Sequence, residues 1–202
     1  IKGVITEKTQ ELDKLTQNYH RSKSRLESLV NITERYDGYG NSIRKIMELK
    51  DSTPGILGVI ADIIKVEKQY ETAIETALGG TIQNIVTDKE NTAKELINYL
   101  KVNKLGRATF LPLNAIHSRN TLENDNCINE NGVVGVASNL VRVSFEYEGL
   151  AKYLLGRILV VDNIENALVI ARKYKYSLRI VTLEGEQLNP GGSMTGGAFK
   201  NS

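Results

Sequence analysis

The sequence predicts an α/β (α+β) protein made of two similar subdomains and preceded by a long N-terminal coiled-coil helix. Three observations predict it: a heptad stretch free of Gly and Pro near the N-terminus, a helix–strand–helix–strand pattern that occurs twice, and one glycine-dense loop near the C-terminus. Of the 202 residues, 41% are hydrophobic and 25% charged, with 26 Lys/Arg against 24 Asp/Glu, for a net charge of +2. That is the balance of an ordinary globular chain. No apolar run approaches the ~20 residues that a membrane-spanning helix needs. Cys127 is the single cysteine, so a disulfide framework and a multi-cysteine metal site are both excluded, and a reducing, cytoplasmic setting is the default. The chain opens at Ile1 with no signal-peptide pattern, which predicts a piece of a longer chain. Its excess of positive charge lies in residues 1–50, which hold 10 basic and 7 acidic side chains. This asymmetry permits contact with nucleic acid without demanding it.

Ile5, Lys8, Leu12, Leu15, Tyr19, Ser22, Leu26 and Leu29 follow one another at alternating spacings of three and four. They predict a helix of roughly 30 residues with a narrow apolar seam, either one strand of a coiled coil or a helix lying on the globular body. Residues 36–41 break it. A short helix through Ile43, Ile46, Met47 and Leu49 then leads to the turn at Ser52–Gly55, taken as the entry to the body. Tyr70, Ala73, Ile74, Ala77 and Leu78 form a helical stripe ending at Gly79 and Gly80; Tyr147, Leu150, Ala151, Leu154 and Leu155 repeat it and end at Gly156. Each helix is followed by an apolar strand, Ile82–Thr87 or Ile158–Val161, and then by an aspartate placed to cap the next helix, Asp88 or Asp162. The inward faces of those next helices read Ala93, Leu96, Ile97, Leu100 and Ile164, Ala167, Leu168, Ala171. A last strand closes each unit, Arg107–Leu111 or Leu178–Thr182. The resulting division is 1–50 (arm and short helix), 51–115 (first subdomain), 116–132 (polar, Asn-rich linker or surface loop) and 133–200 (second subdomain with the glycine loop). Two units of ~60 residues are each marginal alone, so they are expected to pack on each other or on a second copy.

The stretch Asn189–Gly197 contains Gly191, Gly192, Gly196 and Gly197 around Ser193, Met194 and Thr195. A phosphate cradle would need a helix opening behind it, and a P-loop would need Lys-Ser/Thr after its last glycine, whereas Ala198, Phe199 and Lys200 follow here. A plain flexible tail gives no reason for Met194. Close approach of another backbone, with edge-strand pairing, is the third reading. Gly79 and Gly80 read either as a helix C-cap or as the surface complementary to that loop. Lys101, Lys104 and Arg107 close one repeat helix, and Arg172, Lys173, Lys175 and Arg179 occupy the matching place in the other. Such clusters serve helix-dipole compensation and solubility, or a sequence-independent phosphate-contacting surface. His20, His117, Asp62, Glu67 and the two capping aspartates form no recognisable catalytic or metal-binding set.

Three segments carry a resemblance: Thr72–Gly80 with Gln83–Val86, Gly106–Leu113, and Thr182–Gly197. Together they resemble the hinge domain of structural-maintenance-of-chromosomes (SMC) proteins, most nearly that of the bacterial chromosome-partition condensin, over about residues 52–200. The resemblance implies a hinge midway along a chain that folds back on itself, with the heptad as the end of the incoming coiled-coil arm and the outgoing arm starting after the glycine loop. It implies a ring-shaped homodimer in which the first subdomain of one chain meets the second of the other, with Gly191, Gly192, Gly196 and Gly197 at the contact and Gly79 and Gly80 on the opposing face. It also implies weak DNA binding by basic residues near the arm junction. Lys200 matches that region, where relatives often carry a longer lysine run. ATP, magnesium and kleisin-type partners would belong to distant head regions, so the expected module is not itself an enzyme, has no cofactor, and acts in the cytoplasm on the nucleoid. The competing expectation is a small nucleotide- or phosphate-binding enzyme built on the glycine loop.

Overall fold

The computed structural model describes residues 1–35 and 39–200, with side chains described for 1–27 and 39–200. The Leu29 side chain and residues 36–38, which the heptad and its break included, lie outside these. Helix α1 (Lys2–Arg35) is continuous, and its seam residues Ile5, Leu12, Leu15, Tyr19 and Leu26 are 61–66% exposed. That overturns the alternative of a helix lying on the body: the seam up to Leu26 touches no core. Helix α2 (Asn41–Glu48) does dock, burying Ile43, Ile46 and Met47, while the Ser42 hydroxyl donates to the Arg107 carbonyl at 2.6 Å.

The first half of the body runs β1 (Ile56–Val59), α3 (Ile60–Ile63), β2 (Lys65–Val66), α4 (Glu71–Leu78), β3 (Ile85–Thr87), α5 (Glu90–Val102) and β4 (Phe110–Pro112). The second half runs β5 (Val133–Val136), a 3-10 turn over Ala137–Leu140, β6 (Val141–Arg142), α6 (Glu148–Leu155), β7 (Ile158–Val161), α7 (Ile164–Lys173) and β8 (Arg179–Thr182), followed by β9 (Gln187–Leu188) and β10 (Met194–Thr195). The repeat is therefore longer than its sequence pattern. Its opening strands β1 and β5 were not legible because each is interrupted at a bulge glycine, Gly58 or Gly135. The three-stranded sheet has the order β1-β3-β4 and the five-stranded sheet β10-β9-β8-β7-β5. Each sheet contains one parallel pair, β3 with β4 and β7 with β8. The halves are joined by antiparallel pairing of β2 with β6.

Four local expectations are corrected. The stretch 82–87 is strand only at Ile85–Thr87, because a 3-10 turn over Gly79–Gln83, closed by Asn84 N–H donating to Thr81 O, takes its first part. The last strand of the first unit is likewise confined to Phe110–Pro112, the residues that face β3. The cap of α7 is Asn163, whose Oδ1 accepts from the Asn166 N–H at 2.9 Å; Asp162 sits one residue early and braces that cap, accepting from Asn163 N and Asn166 Nδ2 at 2.8 Å each. Asp88 does the same before α5, accepting from Lys89 N and the Thr92 hydroxyl, and that hydroxyl hydrogen bond, the largest cause, holds its carboxyl below the usual range. Finally, Ile97 is 52% exposed and Leu168 is half-buried, whereas Thr92 and Ile170 are buried. The buried faces of these helices are therefore shifted from the stripes that spacing alone suggests, because the neighbours each helix packs against, and not its own period, decide which residues are covered.

The core settles where the two halves find their missing apolar area. One buried cluster unites Ile60, Ile64, Ala73, Ile74, Leu78, Val86 and Leu111 of the first half with Ala137, Leu150, Leu155, Ile158, Val160 and Val181 of the second. Two smaller clusters are private: one under α2 and α5, around Ile46, Met47 and Ile85, and one under α7, around Leu159, Ile170 and Ile180. The linker is more than a surface loop. Leu122 and Cys127 are each 1% exposed within the α7 cluster, and Leu122 N–H donates to Gly156 O at 2.9 Å. Burial pushes the Cys127 thiol pKa up, which leaves it a packing residue.

Candidate functional site

The glycine loop is a tight, anchored hairpin. Strands β8, β9 and β10 form a meander in which Leu188 pairs with both Ile180 and Met194. The Asn189 N–H donates to Ser193 O at 2.8 Å and Gly192 N–H to Asn189 O at 3.0 Å, while Asn189 Nδ2 donates to the Ser193 hydroxyl. A backbone bond ties the loop to the body: Gly191 N–H to Tyr176 O, 2.8 Å. That carbonyl is aimed by the left-handed turn at Lys175 and Tyr176, with φ of 55° and 57°, which ends α7. Sequence reasoning missed this anchor, since no glycine marks the turn.

The glycines divide by cause. Gly191, Gly192 and Gly197 have φ of +92°, +107° and +128°, a region costing an L-residue roughly 1–2 kcal/mol, so the hairpin itself demands them. Gly196 has no such backbone, and an added Cβ there would lie 3.2 Å from Glu186 Cγ, the movable part of a side chain. Gly79, with φ of +53°, is the C-cap of α4. Gly80 is different: its φ is ordinary and a Cβ would meet nothing within 4 Å. Gly191 and Gly197 face equally open space. Within one chain, then, Gly79 and Gly80 do not touch the loop. The loop also has no helix behind it: β10 follows, and residues 198–200 have no regular structure. A dipole-assisted phosphate cradle is thereby lost to the competing enzyme expectation.

Open strand edges accompany the open glycines. Strand β10 is the edge of the five-stranded sheet and β4 an edge of the three-stranded one, and Met194 on β10 is 50% exposed. An exposed edge carries unpaired backbone donors and acceptors that another chain can complete.

The basic candidates fall on separate elements. Lys101, Lys104 and Arg107 are exposed at and after the end of α5, in the half that holds the α2 cluster; Arg172, Lys175 and Arg179 are exposed around the end of α7, and Lys200 follows Phe199 in the C-terminal segment. Lys173 stands apart. Its ammonium donates to Glu130 Oε1 at 2.6 Å, and the Tyr174 hydroxyl donates to the same oxygen at 3.0 Å. These bonds hold the Glu130 carboxyl below its usual range, Lys173 first, and raise the Lys173 ammonium. This ammonium tethers the linker to α7. Among the described residues, no group of three or more His, Cys, Asp or Glu could hold a metal ion.

Comparison with known proteins converges on one family. The family model for the "SMC proteins Flexible Hinge Domain" matches residues 53–171. A "Chromosome partition protein Smc" from Desulfitobacterium hafniense (strain Y51) is 40% identical over 194 residues, covering 94% of this chain and 16% of the relative. The crystal structure of an asymmetric dimer of the Geobacillus stearothermophilus SMC hinge domain is similar with a TM-score of 0.78 and 39% identity, over 92% of this chain and 76% of that one. The Pyrococcus furiosus SMC hinge domain gives a TM-score of 0.65 at 34% identity, over 86% and 89%. The chain spans less than a fifth of the length of the curated relatives it matches.

Proposed function

The chain belongs to the SMC hinge family, and from that premise we propose that it is the dimerisation module joining two chromosome-partition chains for chromosome condensation and segregation. The observation that carries this reading is the pair of open glycine surfaces. Gly191 and Gly197, whose Cβ positions are open, lie with edge strand β10 in one half, with Gly196 beside the movable Glu186 side chain, and Gly79 and Gly80 lie in the other, where β4 is also an open edge. In the proposed homodimer, the loop of each chain meets the first half of its partner, twice by symmetry, and each glycine removes a Cβ that would hold the main chains apart. The solved relative described as an asymmetric dimer supports the same reading.

The cleanest test uses the two glycines whose backbone tolerates a side chain. Gly80→Leu with Gly196→Leu is expected to give a monomer by sedimentation, with unaltered far-UV circular dichroism. A dimer of undiminished stability would overturn the reading. Replacing Gly191, Gly192, Gly196 and Gly197 together is a poorer probe, because three of the four would also strain the hairpin.

A second, weaker activity is contact with DNA through Lys101, Lys104, Arg107, Arg172, Lys175 and Lys200. Their exposure supports it; Lys173, already paired with Glu130, contributes less. Because such contacts release counterions, affinity in a mobility-shift assay should fall steeply as salt rises. Affinity indifferent to salt would exclude phosphate contacts. In the whole protein, ATP hydrolysis, magnesium and kleisin-type partners are assigned to head regions, and the proposed setting is cytoplasmic and nucleoid-associated. No described helix is long and apolar enough to cross a membrane.

A further inference from the structure

A cleft of about 250 Å³ opens beside the glycine loop. Its wall includes Arg119 from the linker, Tyr153 on α6, Arg157 just before β7, Ser177 and Arg179 at the entry to β8, and Pro190 at the start of the loop; among the described residues no acidic side chain lines it. Sheet register explains the convergence. Ile158 is the cross-strand partner of Arg179 in the parallel pair β7–β8, so Arg157 and Arg179 emerge at the same end of neighbouring strands. The linker brings Arg119 to them.

Two of the three guanidinium groups are positioned by neutral partners. Arg119 lies 5.3 Å from the centroid of the Tyr153 ring, and Arg157 Nη1 donates to the Asn120 carbonyl at 3.1 Å. Among the described residues, none of the three forms an ion pair with a carboxylate. Three like charges gathered without an ion-pair partner repel one another, and an entering anion relieves that repulsion while accepting hydrogen bonds from the remaining N–H groups. Guanidinium forks match the oxygens of a tetrahedral phosphoryl group in particular. A basic cleft where β2 meets β6, lined by Lys50, Lys65 and Arg142, lacks this property because Asp62 shares its wall.

We propose that the arginine cleft binds a phosphoryl oxyanion, with Arg119, Arg157 and Arg179 as its donors. The volume falls just below the ~300 Å³ at which pockets begin to enclose drug-sized ligands, so it suits a phosphate or pyrophosphate group rather than a buried nucleotide. That group can come from a free phosphoanion or from a nucleic-acid backbone crossing the surface. The proposal does not rest on the dimer reading.

Two assays on the whole chain, in phosphate-free buffer, test it: calorimetric titration with pyrophosphate, and fluorescence anisotropy with a labelled DNA duplex. The variant Arg157→Ala/Arg179→Ala is compared with Lys14→Ala/Lys94→Ala, which removes the same charge elsewhere on the surface. The arginine variant is expected to lose about tenfold or more in affinity, the worth of one charge-assisted hydrogen bond, while the lysine variant does not. Loss in the pyrophosphate assay assigns a free anion; loss with the duplex alone assigns the nucleic-acid backbone. Wild-type chain that binds neither probe, or an arginine variant that binds both unchanged, overturns the proposal. So does an arginine variant whose only defect is a lower dimer mass, which would give these residues to the subunit contact. Arg119→Ala supplies the same readout if the double variant fails to fold, and sedimentation of the same samples reports dimerisation separately.

Discussion

Gly55 and Gly132 occupy matching positions in the two halves and permit the same close approach. The Gly55 carbonyl accepts from Asp88 N–H, and the Gly132 carbonyl from Asp162 N–H. A Cβ on Gly55 would lie 2.6 Å from Thr92 Oγ1, and one on Gly132 would lie 2.6 Å from Asp162 Oδ1. Since the backbone of Gly55 is ordinary, Gly55→Ala isolates the steric cost. Overpacking of this kind should destabilise by about 1–3 kcal/mol, and an unchanged urea midpoint would show that the helix cap simply yields. At this scale the loop glycines were legible as a cluster, because four in seven residues is a local signal. Their division into hairpin and contact glycines was not, since φ and the space around Cβ are set by folding. Of the arginine cleft, only Arg179 was marked locally, in the basic cluster after α7, since Arg119 and Arg157 lie on other segments.

Helix α7 shows how an element depends on neighbours that sequence spacing cannot assign. Its helical period and its capping region are readable, yet the buried face includes Ile170 rather than Leu168, the left-handed turn that ends it carries no glycine, and the capping side chain is Asn163, one residue after the aspartate that the pattern favours. Asn163→Ala should cost about 1 kcal/mol in chemical denaturation, and a loss no greater than that of an exposed α7 control would return the cap to Asp162. The far end of α7 is fastened to the linker by Glu130. Lys173 and Tyr174 lower the Glu130 carboxyl pKa from its ordinary value of 4.5, so the folded chain favours the ionised form. The stabilisation is therefore complete above that ordinary value and is lost as pH falls through the lower folded one. Thermal melts from about pH 6 down to about pH 3 should show the wild type losing its advantage over Glu130→Gln; parallel curves would remove the tether from the account. The buried linker residues Leu122 and Cys127 were hidden by the polar neighbours that surround them in sequence.

In the molecule as a whole, the central cluster takes side chains from both halves, and β2 and β6 hydrogen-bond across their junction. The body should therefore unfold in one cooperative transition by calorimetry, and Leu150→Ala, which empties a site 2% exposed, should lower stability by about 2–5 kcal/mol for both halves together. Two resolved transitions would mean that the halves hold separate cores. By itself, the sequence determined the local and periodic features: the heptad of α1, the amphipathic stripes of α4 and α6, the hydrophobic strands at Val86 and Val160, the family-bearing segments and the glycine cluster. These are legible because helix and strand periods and short motifs are written in consecutive residues. Only the tertiary structure decided that the halves share one core, that β1 and β5 open each repeat, that Gly80 faces open space while Gly79 caps a helix, and that three separated arginines meet without a carboxylate. Each of those depends on which distant segments pack together, and packing is chosen by the buried area of the entire chain rather than by any window of it.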